Sequence, residues 1–208
     1  MVTVFRGSSQ WFSVTLTGEH ASDAGGVFRE TMSNISDDLM SARTPLFIPT
    51  PNQKEEVGDL RDMWMPNPAC ENFQMYEFVG RLMAGAIQSD ENIVVSLPPF
   101  VWRKIAGAPC TAQQFAAGIS SSLKNYIACA DMDADTFEFC CNTYEIQRSD
   151  GTMVELIPGG ADVDVRFEDR GKWLELVSHA YLGEVDQQCA AIQRGMLSAA
   201  IPLPCVPI

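Results

Sequence analysis

The chain has 208 residues, of which 46% are hydrophobic, and this is enough to build the core of one domain or of two closely packed subdomains. Aspartate and glutamate number 27 against 14 lysines and arginines, and the resulting formal charge of -13 makes nucleic acid an unexpected partner. No window approaches the roughly 18 uninterrupted apolar residues of a membrane span. The odd number of cysteines, seven, without a secretory signal in front of them, predicts reduced thiols in a cytoplasmic protein.

The first third of the chain is predicted to pass from a strand to a helix and then to a loop. Apolar and polar residues alternate in the strand-like segment 2–16. Between residues 26 and 39 the apolar side chains recur every three or four positions, which predicts an amphipathic helix with Asp23 as its N-cap. Five prolines in residues 44–70 exclude long helices there and predict an ordered or partly mobile loop.

Helical periodicity resumes in the middle of the sequence. The apolar positions of residues 73–87, Ile87 among them, form a face wide enough to predict a helix at the centre of the core. A shorter helix should begin at Pro98 or Pro99 and stop at Gly107. A further helix is predicted from residue 111, with a threonine N-cap, to about residue 128.

The last third is predicted to contain a β-hairpin and one long helix. Aromatic residues in segment 136–146 favour a strand, and Asp150-Gly151 is typical of a two-residue turn that leads into a second strand at residues 153–157. From about Asp169 a single long helix should extend to the region of Met196.

The acidic run between the predicted helix and hairpin has part of the pattern of a calcium loop. Asp131, Asp133 and Asp135 alternate as the first ligands of such a loop do. Thr136 stands where the loop needs glycine, and Asn142 stands where a bidentate glutamate should close the shell. A solvated acidic loop is therefore the favoured interpretation, and no metal is expected.

Other cofactor and catalytic patterns find no support in the sequence. Cys140 and Cys141 have no spacer, whereas paired zinc ligands usually do. The two histidines, His20 and His179, lie in no local hydrolase motif, and no glycine-rich phosphate or dinucleotide loop is present. No cofactor is predicted.

Six segments, in order along the chain, carry a family resemblance. Residues 18–30, GEHASDAGGVFRE, resemble the opening signature of the HECT domain of ubiquitin ligases. Residues 63–68, 76–83, 97–104, 150–160 and 186–196 are similar to later segments of the same family. The similarity extends over nearly the whole chain and is strongest to the large HERC-type ligases.

The resemblance implies an α+β, predominantly helical fold like the HECT N-lobe. Residues 1–110 and 161–208 would form the larger helical subdomain, and residues 111–160 a small one with an apolar groove for a loop of a ubiquitin-conjugating (E2) enzyme. The groove candidates at matching positions are Leu123, Tyr126, Ile127, Phe137, Phe139 and Trp173. The residues themselves leave two readings open: a partner site, or ordinary packing of aromatics in a core.

The resemblance also implies that the ubiquitin-accepting cysteine belongs to a separate C-lobe, in a Thr-Cys-Phe context that this sequence lacks. Cys205 lies between prolines with no neighbouring cation, so it is not expected to be a nucleophile. The chain is therefore expected to dock an E2 enzyme for transthiolation to a cysteine elsewhere and to be inactive alone. The alternative is a non-catalytic, HECT-like scaffolding subunit of a larger assembly.

Overall fold

The computed structural model describes residues 26–199. The helices are α1 (Gly26–Leu39), α2 (Pro51–Glu55), α3 (Phe73–Ser89), α4 (Pro99–Ile105), α5 (Ala112–Gly118), α6 (Ser121–Ala130), α7 (Ala134–Phe139), α8 (Arg170–Gly183) and α9 (Asp186–Ser198). The strands are β1 (Phe47–Pro49), β2 (Trp64–Pro66), β3 (Glu145–Gln147) and β4 (Met153–Glu155), in two antiparallel pairs. The predicted α+β, mainly helical class is confirmed. No helix within residues 26–199 is long and apolar enough to cross a membrane.

Several predictions concern the ends of the chain. The strand at residues 2–16, the N-cap Asp23, His20 and Cys205 all lie outside the described residues. The amphipathic helix beyond them is confirmed as α1, which buries Phe28 and Met32.

Helices α3 and α9 form the centre of the core. A β-carbon on Gly80 of α3 would overlap the carbonyl oxygen of Ile192, and one on Gly195 of α9 would overlap the carbonyl oxygen of Glu77. The two backbones therefore touch, which only glycine permits. The predicted buried helix is confirmed as α3, although its predicted core residue Ile87 is 45% exposed.

The short helix after α3 also matches its prediction. Helix α4 has Pro98 as its N-cap and Pro99 in its first turn, where a missing N–H group costs no hydrogen bond. Gly107, two residues beyond the helix, adopts φ +72°, a conformation that stops the helix and favours glycine.

The prediction for residues 44–70 is right that no long helix forms there, but the loop is wrong, because the segment holds two paired strands and a five-residue helix. Ile48 of β1 faces Met65 of β2. Pro51 starts α2, whose N-cap Thr50 accepts a hydrogen bond from the Gln53 N–H group. Pro49 and Pro66 stand at strand ends and Pro51 in the first turn of a helix, where they remove no hydrogen bond that the elements need.

The single helix predicted from residue 111 is two helices. Thr111 caps α5 as predicted, within a reciprocal capping box with Gln114. The chain then leaves helical geometry at Ile119, with φ -130°, and the hydroxyl of Ser120 accepts from Leu123 N–H to begin α6. Ser120 therefore serves as the N-cap at which the second helix begins.

The strand predicted in residues 136–146 is wrong in its first half, which forms α7. The hairpin that follows is confirmed, with Ile146 of β3 opposite Val154 of β4. Its turn is longer than predicted: Arg148 N–H donates to Thr152 C=O across a three-residue loop in which Gly151 takes φ +93°. This is the three-residue hairpin geometry that places glycine last.

The long helix predicted after Asp169 breaks into α8 and α9. The interruption lies at Glu184 and Val185, where the chain turns and Cys189 N–H donates to Val185 C=O to restart the helix. The Glu184 side chain is buried and accepts hydrogen bonds from Ser149 at the tip of the β3–β4 hairpin. This contact between Glu184 and Ser149 joins the helical core to the hairpin.

Candidate docking surface around helix α7

Helix α7 presents two aromatic residues in opposite directions. Its N-cap is Asp133, whose carboxylate accepts hydrogen bonds from the N–H and Oγ1 of Thr136 at 3.0 and 3.1 Å. These bonds lower the pKa of Asp133. Residues two apart on a helix are separated by about 200° around its axis. Accordingly Phe137 is 1% exposed, while Phe139 is 87% exposed.

Phe137 is fixed in an aromatic cluster that we define as Tyr126, Phe137, Phe167 and Trp173. Its ring meets those of Trp173 and Phe167 edge to face, with centroids 5.8 and 6.0 Å apart. Tyr126 adds an edge-to-face contact with Trp173 at 5.6 Å, and Trp173 Nε1 donates to Thr143 C=O at 3.1 Å. The cluster anchors α6, α7 and α8 to one another.

The six groove candidates therefore separate by exposure. Leu123, Phe137 and Trp173 are fully buried, so in this structure they support the surface and do not form it. Tyr126 and Ile127 are half-buried on α6, and Phe139 stands in solvent. The structure brings Tyr126, Phe137 and Trp173 into ring contact, but it does not bring Phe139 into the cluster.

Sequence reasoning missed three further exposed apolar side chains in residues 131–169, Met132, Met153 and Val163. Met153 could have been found, because on strand β4 its side chain must point to the face opposite Val154. Met132 lies in the turn between α6 and α7, where no periodic pattern applies.

Negative charge is concentrated in the same part of the chain. Segment 131–169 contains eleven acidic residues and only two basic ones, Arg148 and Arg166. The acidic residues are Asp131, Asp133, Asp135, Glu138, Glu145, Asp150, Glu155, Asp162, Asp164, Glu168 and Asp169. An excess of acidic side chains attracts a partner that presents a basic face.

Three thiols of the described chain have raised pKa values, which lower the fraction present as the reactive thiolate. Burial raises the pKa of Cys189 to about 12 and also raises that of Cys110. The pKa of Cys140 is raised by a hydrogen bond with the Cys129 thiol and by burial. Within residues 26–199 no three His, Cys, Asp or Glu side chains converge in a way that could hold a metal ion.

Known proteins resemble this chain over most of its length. The profile of the HECT-domain (ubiquitin-transferase) family matches residues 33–204. The chain belongs to the HECT-domain family. The mouse (Mus musculus) E3 ubiquitin-protein ligase HERC2 is 27% identical over 198 residues, which cover 93% of this chain and 4% of that protein. The Saccharomyces cerevisiae E3 ubiquitin-protein ligase TOM1 is 24% identical over 168 residues, which cover 79% of this chain and 5% of that protein.

This HECT chain thus spans about one twentieth of the length of these relatives. Its Pro-Gly-Gly segment has a physical basis in the fold. Gly159 adopts φ +72°, and a β-carbon on Gly160 would overlap the carbonyl oxygen of Tyr144. Both positions therefore require glycine for different reasons. The division into subdomains at residues 111 and 160 stays a prediction.

Proposed function

We propose that this HECT chain docks a ubiquitin-conjugating enzyme on the surface formed by Phe139 with the half-buried Tyr126 and Ile127. Ubiquitin would then pass to a cysteine in a C-lobe that is not in this sequence. The observation that carries the proposal is the 87% exposure of Phe139 on a helix whose neighbouring aromatic is locked into the core. Residues 111–160 would act as the docking subdomain.

An exposed phenylalanine on a helix that is anchored to the core is suited to bind a partner. Exposed apolar groups grouped on one surface mark interaction sites, and aromatic anchors commonly carry about 2 kcal/mol or more of a binding free energy. The capped N-terminus of α7 and the contacts of Phe137 hold the helix backbone at Phe139 in place before any partner arrives. Little backbone conformational entropy would therefore be lost when a partner covers its ring.

The acidic surroundings favour one class of E2 face. Eleven acidic side chains in segment 131–169 should speed the approach of an enzyme whose docking face is basic. Exposed charges of this kind act over about 8–10 Å at physiological ionic strength. The binding should therefore weaken as salt is added, while the apolar contact of Phe139 should persist.

Three of the described thiols are poorly suited to a catalytic role. Transthiolation requires a thiolate nucleophile, and the raised pKa values of Cys110, Cys140 and Cys189 leave those thiols largely protonated at neutral pH. The names of the relatives, E3 ubiquitin-protein ligases, support a place for this chain in ubiquitin transfer.

Calorimetric titration against a panel of E2 enzymes tests this function. We expect one or more members to bind with a dissociation constant in the micromolar range, about -8 kcal/mol, and to bind more weakly as ionic strength increases. Absence of binding across the panel would reject docking and favour the scaffolding alternative. In that case, capture of the chain by a larger assembly would be the next measurement.

A further inference from the structure

A polar cavity of about 180 Å³ lies between α2, the start of α6, the β3–β4 turn and α8. Most of its lining side chains are charged or carry a hydroxyl group, and two of them, Lys54 and Arg148, are cations. None of the described residues from 126 to 139 lines it. The cavity is therefore separate from the proposed docking surface on α6 and α7.

Backbone carbonyl groups hold both cations at the cavity. Lys54 Nζ donates to Ser149 C=O at 2.9 Å, and the Arg148 guanidinium donates to Glu184 C=O at 3.3 Å. Neither cation forms a salt bridge within residues 26–199. The charge of Arg148 acts on the Glu184 carboxyl, but burial has the larger effect there and raises its pKa to about 7. An ammonium has three donors and a guanidinium five, so most of their N–H groups stay available.

Hydroxyl groups add further donors to the cavity. Ser120 is 1% exposed, and its oxygen accepts a hydrogen bond from Leu123 N–H, which leaves its own O–H group as a donor. Ser122 contributes a second hydroxyl. One carboxylate, Glu55, also lines the cavity and accepts from Ser121 Oγ at 2.7 Å. Two cations against one carboxylate give the cavity a positive charge, in a chain whose formal charge is -13.

We propose that this cavity binds a phosphate group, either as free phosphate or on a phosphorylated side chain of a partner. A phosphorylated side chain carries a charge of about -1.5 to -2 at pH 7 and three strong acceptor oxygens. Arginine and lysine are the side chains that most often bind such a group. A metal cation would be repelled by Lys54 and Arg148, and an apolar ligand would leave their donors unpaired. The proposal does not depend on docking of an E2 enzyme.

Calorimetric titration of the full chain with sodium phosphate, and with sodium chloride at the same ionic strength, tests this site. Wild type should bind phosphate and show no binding of chloride. Arg148→Gln should weaken phosphate binding about tenfold or more, because it removes a charge and the paired donors of the guanidinium. Arg166→Gln is the matched control, since Arg166 is exposed and does not line the cavity, and its affinity should equal that of wild type.

A second variant separates ligand binding from a structural role of the cations. Glu55→Gln removes the negative charge from the cavity, while its amide oxygen can still accept the hydrogen bond from Ser121. Phosphate should therefore bind about twofold to fivefold more tightly. Contacts that served only to hold the turn would give no such gain.

Titration with N-acetyl-phosphoserine amide identifies the source of the phosphate group. Tighter binding than that of inorganic phosphate indicates a phosphorylated side chain, and weaker binding indicates the free ion; both results support the site. Equal heats with phosphate and chloride would overturn the proposal, as would wild-type affinity in Arg148→Gln. If Arg148→Gln does not fold, unchanged or weaker binding in Glu55→Gln would overturn it.

Discussion

A β-carbon on Gly80 would lie 3.0 Å from the Cα atom of Gly195, so helices α3 and α9 cross backbone against backbone. The same β-carbon would overlap the carbonyl oxygen of Ile192. Backbone atoms in a helix cannot move aside as a flexible side chain can. These two glycines, each within a segment that resembles the HECT family, therefore set the distance between the two central helices.

Alanine at this crossing should destabilise the fold. Gly80→Ala or Gly195→Ala forces the helices apart and should cost about 1–3 kcal/mol of the free energy of unfolding. Urea denaturation measures this. Gly171→Ala is the matched control, because a β-carbon there meets nothing within 4 Å and should stabilise α8 by about 0.5–1 kcal/mol. Equal effects at all three positions would contradict the close crossing.

The two phenylalanines of α7 should differ sharply in their effect on stability. Phe137→Ala leaves a cavity beside Trp173 and should cost about 3–5 kcal/mol, since the ring is fully buried. Phe139→Ala removes a ring from solvent and should change stability by less than about 0.5 kcal/mol. Thermal and urea unfolding of both variants measures the difference. A large loss of stability with Phe139→Ala would show that this ring is part of the core.

Glu184 should make the fold less stable as the pH rises, whereas a salt-bridged carboxylate makes a fold less stable as the pH falls. Burial raises its pKa from the ordinary 4.5 to about 7, against the opposing hydrogen bonds from Ser149. Because the folded state holds the proton more tightly, this contribution is complete below about pH 4.5 and is lost as the pH rises through about 7. The loss is on the order of 3 kcal/mol.

Glu184→Gln should remove that pH dependence, since the neutral amide can still pair with Ser149. The measurement is the difference in unfolding free energy between variant and wild type across this pH range, which cancels the other titrating groups. Glu175→Gln, on the exposed side of α8, is the matched control for the removal of one glutamate from this helix. A constant difference for Glu184→Gln would show that the buried carboxyl titrates normally.

The positions of most helices could be predicted from sequence, because apolar residues at helical spacing decide which face is buried. The breaks at Ser120 and Glu184 could not be found in that way, since the apolar spacing continues through them. A signal for the first existed: Gly118 near the end of α5 and a serine N-cap at the start of α6. The second depends on a hydrogen bond from Ser149, 35 residues away in sequence.

The site was harder to predict than the fold. Phe137 and Phe139 alternate as strand residues do, and Asp133 resembled a ligand of calcium. In the structure Asp133 is the N-cap of α7, and this local hydrogen bond outweighs the strand preference of the aromatics. The start of α7 at its N-cap, Asp133, decides which of the two rings is exposed.

Binding of a responsive E2 enzyme to Phe139→Ala and Phe78→Ala variants tests the central claim most directly. Phe78 is the matched control, because it is a 48% exposed phenylalanine on α3, outside the proposed surface. We predict that Phe139→Ala weakens binding about tenfold or more with unchanged unfolding, while Phe78→Ala leaves affinity at the wild-type value. Unchanged affinity in Phe139→Ala, or an equal loss in both variants, would contradict docking at α7.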